Sequence, residues 1–222
     1  AFCATKFYSD IDGTPTDRTG SVTITEDDDK TWVSFDAGGT MLSCNGNGND
    51  PMLKWASASG NLAAADVDSR FTSAGVGAWF DNRAWFGDVN TGEDRVWRSS
   101  NTDIGSWGAN DYFLFGTQVT GLVPFHGFLC VHTNEEIWGL FPTGNATTPY
   151  RRQRRADKGT VARRSIVVTE RGWMYYIRRE GVYRWDGSSQ PSRISGSIDG
   201  ARYWSDLNKD RLQHSHAIAV PH

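Results

Sequence analysis

A short pattern recurs every 45 residues, and this repeat constrains the fold more than any other feature. Similar stretches begin at positions 35, 80, 125 and 170, and they read FDAGGTMLSC, FDNRAWFGD, FHGFLCVHT and ERGWMYYIR. Each reads as the end of one strand, a tight turn and a second strand. A period of about 40 to 50 residues with several short strands per unit is typical of β-propeller blades, which bury their faces only by stacking on neighbours.

An aromatic residue recurs downstream in each unit, at Trp55, Trp97, Trp138 and Tyr183. Because these residues occupy equivalent places, we interpret them as packing between blades rather than as stacking platforms for a ligand. The 222 residues are long enough for one large all-β domain. The sequence therefore predicts an all-β fold, a propeller of about four to five blades in a single domain, 1–222.

The two ends of the chain fit the repeat less well. Residues 1–20 match no unit and are predicted to be an irregular N-terminal segment. The C-terminal stretch RLQHSHAIAVPH, residues 211–222, resembles the opening strand of a further blade. That strand either closes the ring against the N-terminal segment or belongs to a larger propeller protein.

Composition agrees with strands and tight turns. The chain has 10 Trp and 24 Gly, and helical periodicity is nearly absent. The net charge of −3 indicates no general affinity for nucleic acid. No apolar run approaches the roughly 18 residues of a membrane span.

The three cysteines, Cys3, Cys44 and Cys130, are far apart and odd in number. This spacing favours buried free thiols over a disulfide framework or a zinc site. Residues 21–35, SVTITEDDDKTWVSF, are predicted to form a β-hairpin with a solvated acidic turn. The carboxylates of that turn lack the alternating ligand spacing of a calcium loop.

No set of residues in the sequence predicts catalysis. The stretch SSNTDIGSW, residues 99–107, resembles the Asp-box turn of sialidase-type propellers, but that box is structural, and the chemistry needs paired carboxylates elsewhere. The five histidines are scattered, and the sequence has neither a phosphate loop nor a nucleophile elbow. We therefore predict no enzymatic activity, no cofactor and no metal.

One segment is strongly basic. Residues 150–164, YRRQRRADKGTVARR, contain a single acidic residue, Asp157, and carry a charge of +6. The basic residues are Arg151, Arg152, Arg154, Arg155, Lys158, Arg163 and Arg164. By its position between two repeats the segment is a surface loop or a strand at a blade edge. It is either a solvated surface or a contact with DNA or with an acidic partner protein.

The order of several phrases resembles a known group of proteins. These phrases are NRAWFGD, EDRVWRSS and DIGSW, followed by VTGLVPFHGFLCVHTNEEIWGL and RSIVVTERGWMYYIRREGVYRWDG. Together they resemble the β-propeller region of bacteriophage tail proteins, the group with the tail nozzle and the tail-hub or stabilisation proteins of short-tailed phages. The resemblance spans roughly residues 35 to 200, and such tail proteins are usually much longer than this chain.

The resemblance implies a non-enzymatic virion component, made in the host cytoplasm and assembled into the phage tail. It implies a homo-oligomeric ring, commonly sixfold, around the DNA exit channel, with other tail proteins as partners and with possible contact to packaged or exiting DNA. In that setting the basic segment would face a neighbouring subunit or the DNA. The alternative is a receptor- or glycan-binding propeller module on the virion surface, with aromatic-lined pockets on one loop face.

Overall fold

The computed structural model describes residues 1–10, 13–25, 32–46, 48–56, 60–65, 71–101, 103–197 and 208–218. These residues form antiparallel strands, and the helical segments among them are short 3-10 turns. The prediction of an all-β fold is confirmed. Within the described part of the chain, no helical segment is long and apolar enough to cross a bilayer.

The strands form five sheets, numbered here in chain order. Sheet 1 contains β1 (Phe2–Cys3), β2 (Lys6–Ser9) and β3 (Thr16–Asp17). Sheet 2 contains β4 (Val33–Asp36), β5 (Met41–Cys44), β6 (Leu53–Trp55) and β7 (Ala63–Ala64). Sheet 3 contains β8 (Ala74–Phe80), β9 (Arg83–Val89), β10 (Gly92–Arg98) and β11 (Tyr112–Leu114). Sheet 4 contains β12 (Val119–Phe125), β13 (Phe128–Thr133), β14 (Ile137–Pro142) and β15 (Tyr150–Ala156). Sheet 5 contains β16 (Val167–Val168), β17 (Met174–Arg178), β18 (Gly181–Trp185) and β19 (Ser192–Arg193).

Sheets 2 to 5 share one topology, in which four strands follow each other as an antiparallel meander. The 45-residue repeat marks the first hairpin of each of these sheets. In sheet 3 the pair Phe80–Arg83 encloses a two-residue turn, and in sheet 4 the pair Phe125–Phe128 encloses another. Both central residues of each turn have positive φ, as the twist of a tight hairpin requires. Position 170 falls in the first turn of sheet 5. One repeat therefore corresponds to one sheet.

The chain divides into two compact units, Ala1–Leu114 and Phe115–His222. In the N-terminal unit, buried side chains of sheets 2 and 3 share one apolar cluster around Phe71, Phe86 and Trp97. In the C-terminal unit, a second cluster joins sheets 4 and 5 around Phe125 and Trp185. The single domain spanning 1–222 stays a prediction.

The four recurring aromatic residues all lie on the third strand of their sheet. Trp97 and Tyr183 are buried in the clusters just described, whereas Trp55 and Trp138 are half-buried. Trp55 packs edge-on against Phe7 of sheet 1, with ring centroids 5.3 Å apart. Trp138 lies on the face of sheet 4 opposite to Ile137, which packs towards sheet 5. Trp55 thus contacts a neighbouring sheet, and Trp97 and Tyr183 belong to the clusters that join two sheets.

Two local predictions are wrong. Residues 22–25 form no strand, and β4 pairs with β5 instead, so the predicted hairpin over 21–35 does not form. The Thr25 amide donates to the Asp50 carboxylate at 2.9 Å, and Ile24 is buried, so this segment is held by side chains rather than by a ladder. The acidic turn itself lies outside the described residues. The N-terminal segment is also not irregular, because it contains sheet 1, which buries Phe7.

The C-terminal segment shows a helical turn where a strand was predicted. Lys209–His214 form a 3-10 helix that begins at Asn208, whose side chain accepts a hydrogen bond from the Asp210 amide. This cap favours helical geometry at the start of the segment. Further on, the Ala217 amide donates to the Arg164 carbonyl at 2.9 Å. Residues 219–222 lie outside the described residues.

Candidate binding surface

The basic segment lies on an edge strand. Arg151, Arg152, Arg154 and Arg155 belong to β15, which we call the arginine strand, Tyr150–Ala156. Among the described strands, it pairs only with β14. Tyr150 and Ala156 are buried at its two ends, and the residues from 151 to 154 are exposed. Of the two predicted positions, a loop or a strand at a blade edge, the structure shows the strand.

The arginine side chains leave this strand on both of its faces. Arg151 pairs with Phe141, and its guanidinium lies 5.8 Å from the centroid of that ring. Arg152 lies on the opposite face, 5.1 Å from the ring of Trp138 and 5.7 Å from that of Phe115. Such cation–π contacts fix the direction of a long side chain and contribute about 0.5–1 kcal/mol each at exposed sites. The guanidinium groups are therefore held in place while remaining accessible.

Arg154 is exposed and forms an ion pair. Its Nε lies 2.7 Å from Glu136 Oε1, and the two side chains are 52% and 25% exposed. A pair in such a position contributes about 0–1 kcal/mol because water screens it. Glu136 therefore neutralises the charge of Arg154. It forms no such pair with Arg151 or Arg152 among the ion pairs of the described residues.

Arg155 has a different role from its neighbours. It is half-buried, lies 5.9 Å from the ring of Phe128 and 5.7 Å from that of Phe141, and donates to the carbonyl of Gly187 in sheet 5. It therefore links sheet 4 to sheet 5. Lys158 behaves in a similar way, since its Nζ lies 5.6 Å from the ring of Tyr183.

Arg163 and Arg164 lie apart from the arginine strand, on the 3-10 helix Arg163–Ser165, and both are half-buried. Arg164 Nη1 lies 2.6 Å from His216 Nε2, and burial lowers the pKa of the Arg164 guanidinium. Burial, followed by the charge of Arg164, also lowers the pKa of His216. This proximity therefore favours a neutral His216 that accepts a hydrogen bond from Arg164.

Of the seven predicted basic residues, Arg151, Arg152 and Arg154 are exposed on the same edge strand, Arg151 on one face of sheet 4 and Arg152 and Arg154 on the other. A strand rises about 3.3 Å per residue, so these three span roughly 10 Å along one sheet edge. The other four are half-buried, two of them in contacts between sheets. The candidate binding surface is therefore the exposed part of the arginine strand, 151–154.

The charge of the chain is divided unequally between the two units. Residues 1–114 contain 8 Lys and Arg against 17 Asp and Glu, a net charge of −9. Residues 115–222 contain 15 against 9, a net charge of +6. The net charge of −3 for the whole chain does not show this asymmetry, which appears when the charges of the two units are counted separately.

The Asp-box-like stretch forms a turn between β10 and β11. The Gly105 amide donates to Asp103 Oδ1 at 2.9 Å, and Trp107 packs edge-on against Phe71 at 5.4 Å. Trp107 thereby joins the cluster that holds sheets 2 and 3 together. These contacts give the turn a structural role, as predicted for the box.

One buried polar group has no signal in the sequence. His132, on β13, is fully buried, and its Nε2 lies 3.1 Å from Met174 Sδ. Burial lowers the pKa of His132 to about 3, so the ring stays neutral in the folded protein near neutral pH. Both faces of β13 are packed, which explains why this imidazole is enclosed.

The cysteines and histidines form no metal cluster in the part of the chain that is described. Cys44 and Cys130 are buried thiols, whereas Cys3 is exposed, in contrast to the prediction for that residue. Burial raises the pKa of the Cys130 thiol. Cys130 is therefore protonated at neutral pH and contributes to the apolar cluster between sheets 4 and 5.

No protein-family model matches this sequence, and no curated protein matches it. Among solved structures, the computationally designed Ika8 protein is similar at 12% identity with a TM-score of 0.47. The alignment covers 77% of this chain and 49% of Ika8. BBS1N, from a crystal structure of its complex with ARL6DN, is similar at 12% identity with a TM-score of 0.49, over 86% of this chain and 62% of BBS1N. At these values the likenesses assign neither a propeller nor a function.

Proposed function

We propose that this chain is a non-enzymatic β-propeller component of a bacteriophage tail, and that the arginine strand is one of its assembly contacts. The propeller proposal is supported by sheets 2 to 5, which repeat one meander, and by their third-strand aromatic residues. Sheet 1, with three strands, would supply part of a fifth blade. A ring of such sheets is rigid and exposes only short edges, which suits an assembly protein.

The proposed assembly role rests on one observation. Three arginines, Arg151, Arg152 and Arg154, are exposed on an edge strand that pairs with β14. Backbone pairing with β14 and ring contacts hold Arg151 and Arg152 in fixed directions. A partner therefore does not have to order these side chains on binding, which lowers the entropy lost on association. Guanidinium groups are suited to carboxylate or phosphate partners, since both accept paired hydrogen bonds.

Two polyanions could meet this surface, an acidic protein or DNA. A tail must release its DNA rapidly, and a strongly adhesive basic collar would slow that release. The N-terminal unit, with its net charge of −9, would also repel a phosphate backbone. We therefore favour an acidic protein surface as the partner.

The placement in a phage tail is supported by the sequence resemblance over roughly residues 35 to 200. On this proposal the chain assembles with other tail proteins around the DNA exit channel. Mass spectrometry of purified virions from the source phage should find the protein in tails, and electron microscopy of the isolated protein should show radially arranged sheets. Virions that lack the protein would refute the tail role.

A charge variant tests whether the arginine strand takes part in assembly. Replacing Arg151, Arg152 and Arg154 by Ser should leave the protein folded and should reduce its incorporation into tails. The matched control replaces three exposed arginines elsewhere in the same unit, Arg171, Arg193 and Arg211, by Ser. Both variants lose the same charge. Equal incorporation of the two would show that the position of the arginines is irrelevant and would contradict the proposed contact.

A further inference from the structure

We infer that the arginine strand binds an extended acidic segment of a partner protein, which adds to sheet 4 as a fifth strand. This inference rests on the proposed assembly function and names the kind of segment that the strand takes from its partner. Extended peptides that add to a sheet edge obtain affinity from backbone hydrogen bonds and specificity from their side chains.

The outer edge of β15 has the regular geometry that strand addition requires. Residues 150–154 pair one to one with residues 138–142 of β14, and the register shifts only between Arg154 and Ala156. Among the described strands β15 pairs only with β14, so the backbone groups of alternate residues point away from the sheet. Residues 151–154 are exposed. The edge therefore offers a ladder roughly 16 Å long to an added strand.

The exposed arginines lie on both faces of sheet 4, and this distribution selects the shape of the partner segment. Arg151 lies over the ring of Phe141 on one face, whereas Arg152 lies over the ring of Trp138 on the other. A flat protein surface can approach only one of these faces. An extended segment along the edge directs successive side chains to opposite faces and can therefore reach both. A run of consecutive acidic residues would place carboxylates beside the arginines of both faces.

The charge of the strand determines which segments can pair with it. Charged side chains on an edge strand prevent indiscriminate pairing with other chains. Across two paired strands opposite charges attract and like charges are destabilising, so the arginines exclude basic segments and admit acidic ones. Arg154 is already paired with Glu136, and we expect Arg151 and Arg152 to contribute most of this selectivity.

Peptide binding to the full chain tests the inference. The probe is a fluorescent peptide, Thr-Val-Glu-Glu-Glu-Glu-Val-Thr, whose carboxylates alternate between the two faces of a strand. Fluorescence anisotropy at about 50 mM NaCl should show saturable binding. Replacing Arg151, Arg152 and Arg154 by Ser should weaken this binding about tenfold. The control variant with three Ser substitutions elsewhere in the same unit, described above, should bind like the wild type.

Two comparisons show whether both faces are contacted. Arg151→Ser and Arg152→Ser lie on different faces, and each should weaken binding about two- to fivefold. The matched peptide Glu-Thr-Glu-Val-Glu-Val-Glu-Thr has the same composition and charge but carries its carboxylates on one face. It should bind more weakly than the first peptide, because it can meet the arginines of only one face at a time.

The backbone contribution is tested with N-methylated peptides of unchanged charge. A version of the first peptide methylated on alternate residues keeps one pairing edge and should still bind. A version methylated on adjacent central residues loses donors on both edges and should bind at least about tenfold more weakly. Binding of the unmethylated peptide should also slow hydrogen exchange within residues 150–156 of the chain.

Several results would overturn the inference. They are equal binding of the two peptides of matched composition, equal binding of the two methylated versions, unchanged hydrogen exchange at 150–156, or binding of duplex DNA but of no acidic peptide. If no peptide binds but the variant with Ser on the arginine strand still fails to enter tails, the inference fails and the proposed function stands. If the peptide binds as expected but that variant enters tails normally, the assembly role fails and strand addition stands.

Discussion

Acidification should destabilise the C-terminal unit through His132. This residue lies on β13 with its ring edge-on to Tyr176 at 5.1 Å and its Nε2 3.1 Å from Met174 Sδ. Among the described residues, its Nδ1 has no hydrogen-bond partner. A proton on this buried ring would therefore create a cation without a counter-charge, which explains why burial lowers its pKa to about 3.

The sign of the pH effect follows from the two protonation equilibria. In the unfolded chain the imidazole binds a proton below about pH 6.5, whereas in the folded protein it stays neutral until about pH 3. The folded state is therefore fully favoured above pH 6.5 and loses stability as the pH falls from 6.5 towards 3. Each pH unit in this window lowers the free energy of unfolding by about 1.4 kcal/mol. The loss reaches about 2 kcal/mol at pH 5, a large share of the roughly 5–15 kcal/mol that stabilise a typical domain.

Urea unfolding at several pH values measures this loss, with His132→Asn as the variant that cannot titrate. The variant is expected to be less stable at neutral pH, and the difference from wild type should shrink by about 2 kcal/mol between pH 7.5 and pH 5. His126→Asn is the matched control, since His126 lies in an exposed turn with positive φ that Asn tolerates. Hydrogen exchange of β13 peptides locates the effect. Parallel stability curves for wild type and His132→Asn would refute the reasoning.

Three further predictions compare the free energies of unfolding of single-residue variants with that of the wild type. Trp97→Ala should cost about 3–5 kcal/mol because this ring is 2% exposed in the cluster of sheets 2 and 3, and Trp138→Ala should cost less because its ring is half-buried. Gly159→Ala should cost about 1–3 kcal/mol, since a Cβ would meet the backbone of the turn between β13 and β14, whereas Gly196→Ala has open space and should be nearly neutral. Arg155→Ala should cost about 1–3 kcal/mol through its lost charged hydrogen bond and ring contacts. Chemical denaturation checks each value, and equal costs within the Trp or Gly pair would contradict the corresponding burial or packing assignment.

The strand meanders could be predicted from sequence because their signals are local. A two-residue turn needs residues that tolerate positive φ, and Asp81-Asn82 and His126-Gly127 meet that need where the repeat places them. Apolar residues on either side then set the register, since a slip by one residue would turn them to the wrong face. The third-strand position of Trp97, Trp138 and Tyr183 follows from the same spacing.

Other features depend on contacts that no local pattern encodes. Residues 21–25 alternate like a strand, yet the Thr25 amide bonds to the side chain of Asp50, which is distant in sequence. The basic segment lacks apolar alternation between Tyr150 and Ala156, so its sequence could not decide between loop and strand. In the structure, backbone pairing with β14 makes this segment a strand. The burial of His132 is likewise hidden, because both faces of its strand are covered by tertiary packing.

The arginine strand contains exposed arginines and one half-buried arginine, which its sequence does not distinguish. Arg155 is half-buried and donates to the carbonyl of Gly187 in sheet 5, whereas Arg151, Arg152 and Arg154 are exposed. A variant that removes all four would lose internal packing together with surface charge, and a loss of assembly would then have two explanations. Because the three side chains are exposed and their ring contacts and ion pair contribute at most about 1 kcal/mol each, their substitution changes the charge of the edge at a small cost to the fold. An assembly defect in that triple variant, with Arg155 intact, therefore reports on the binding surface itself.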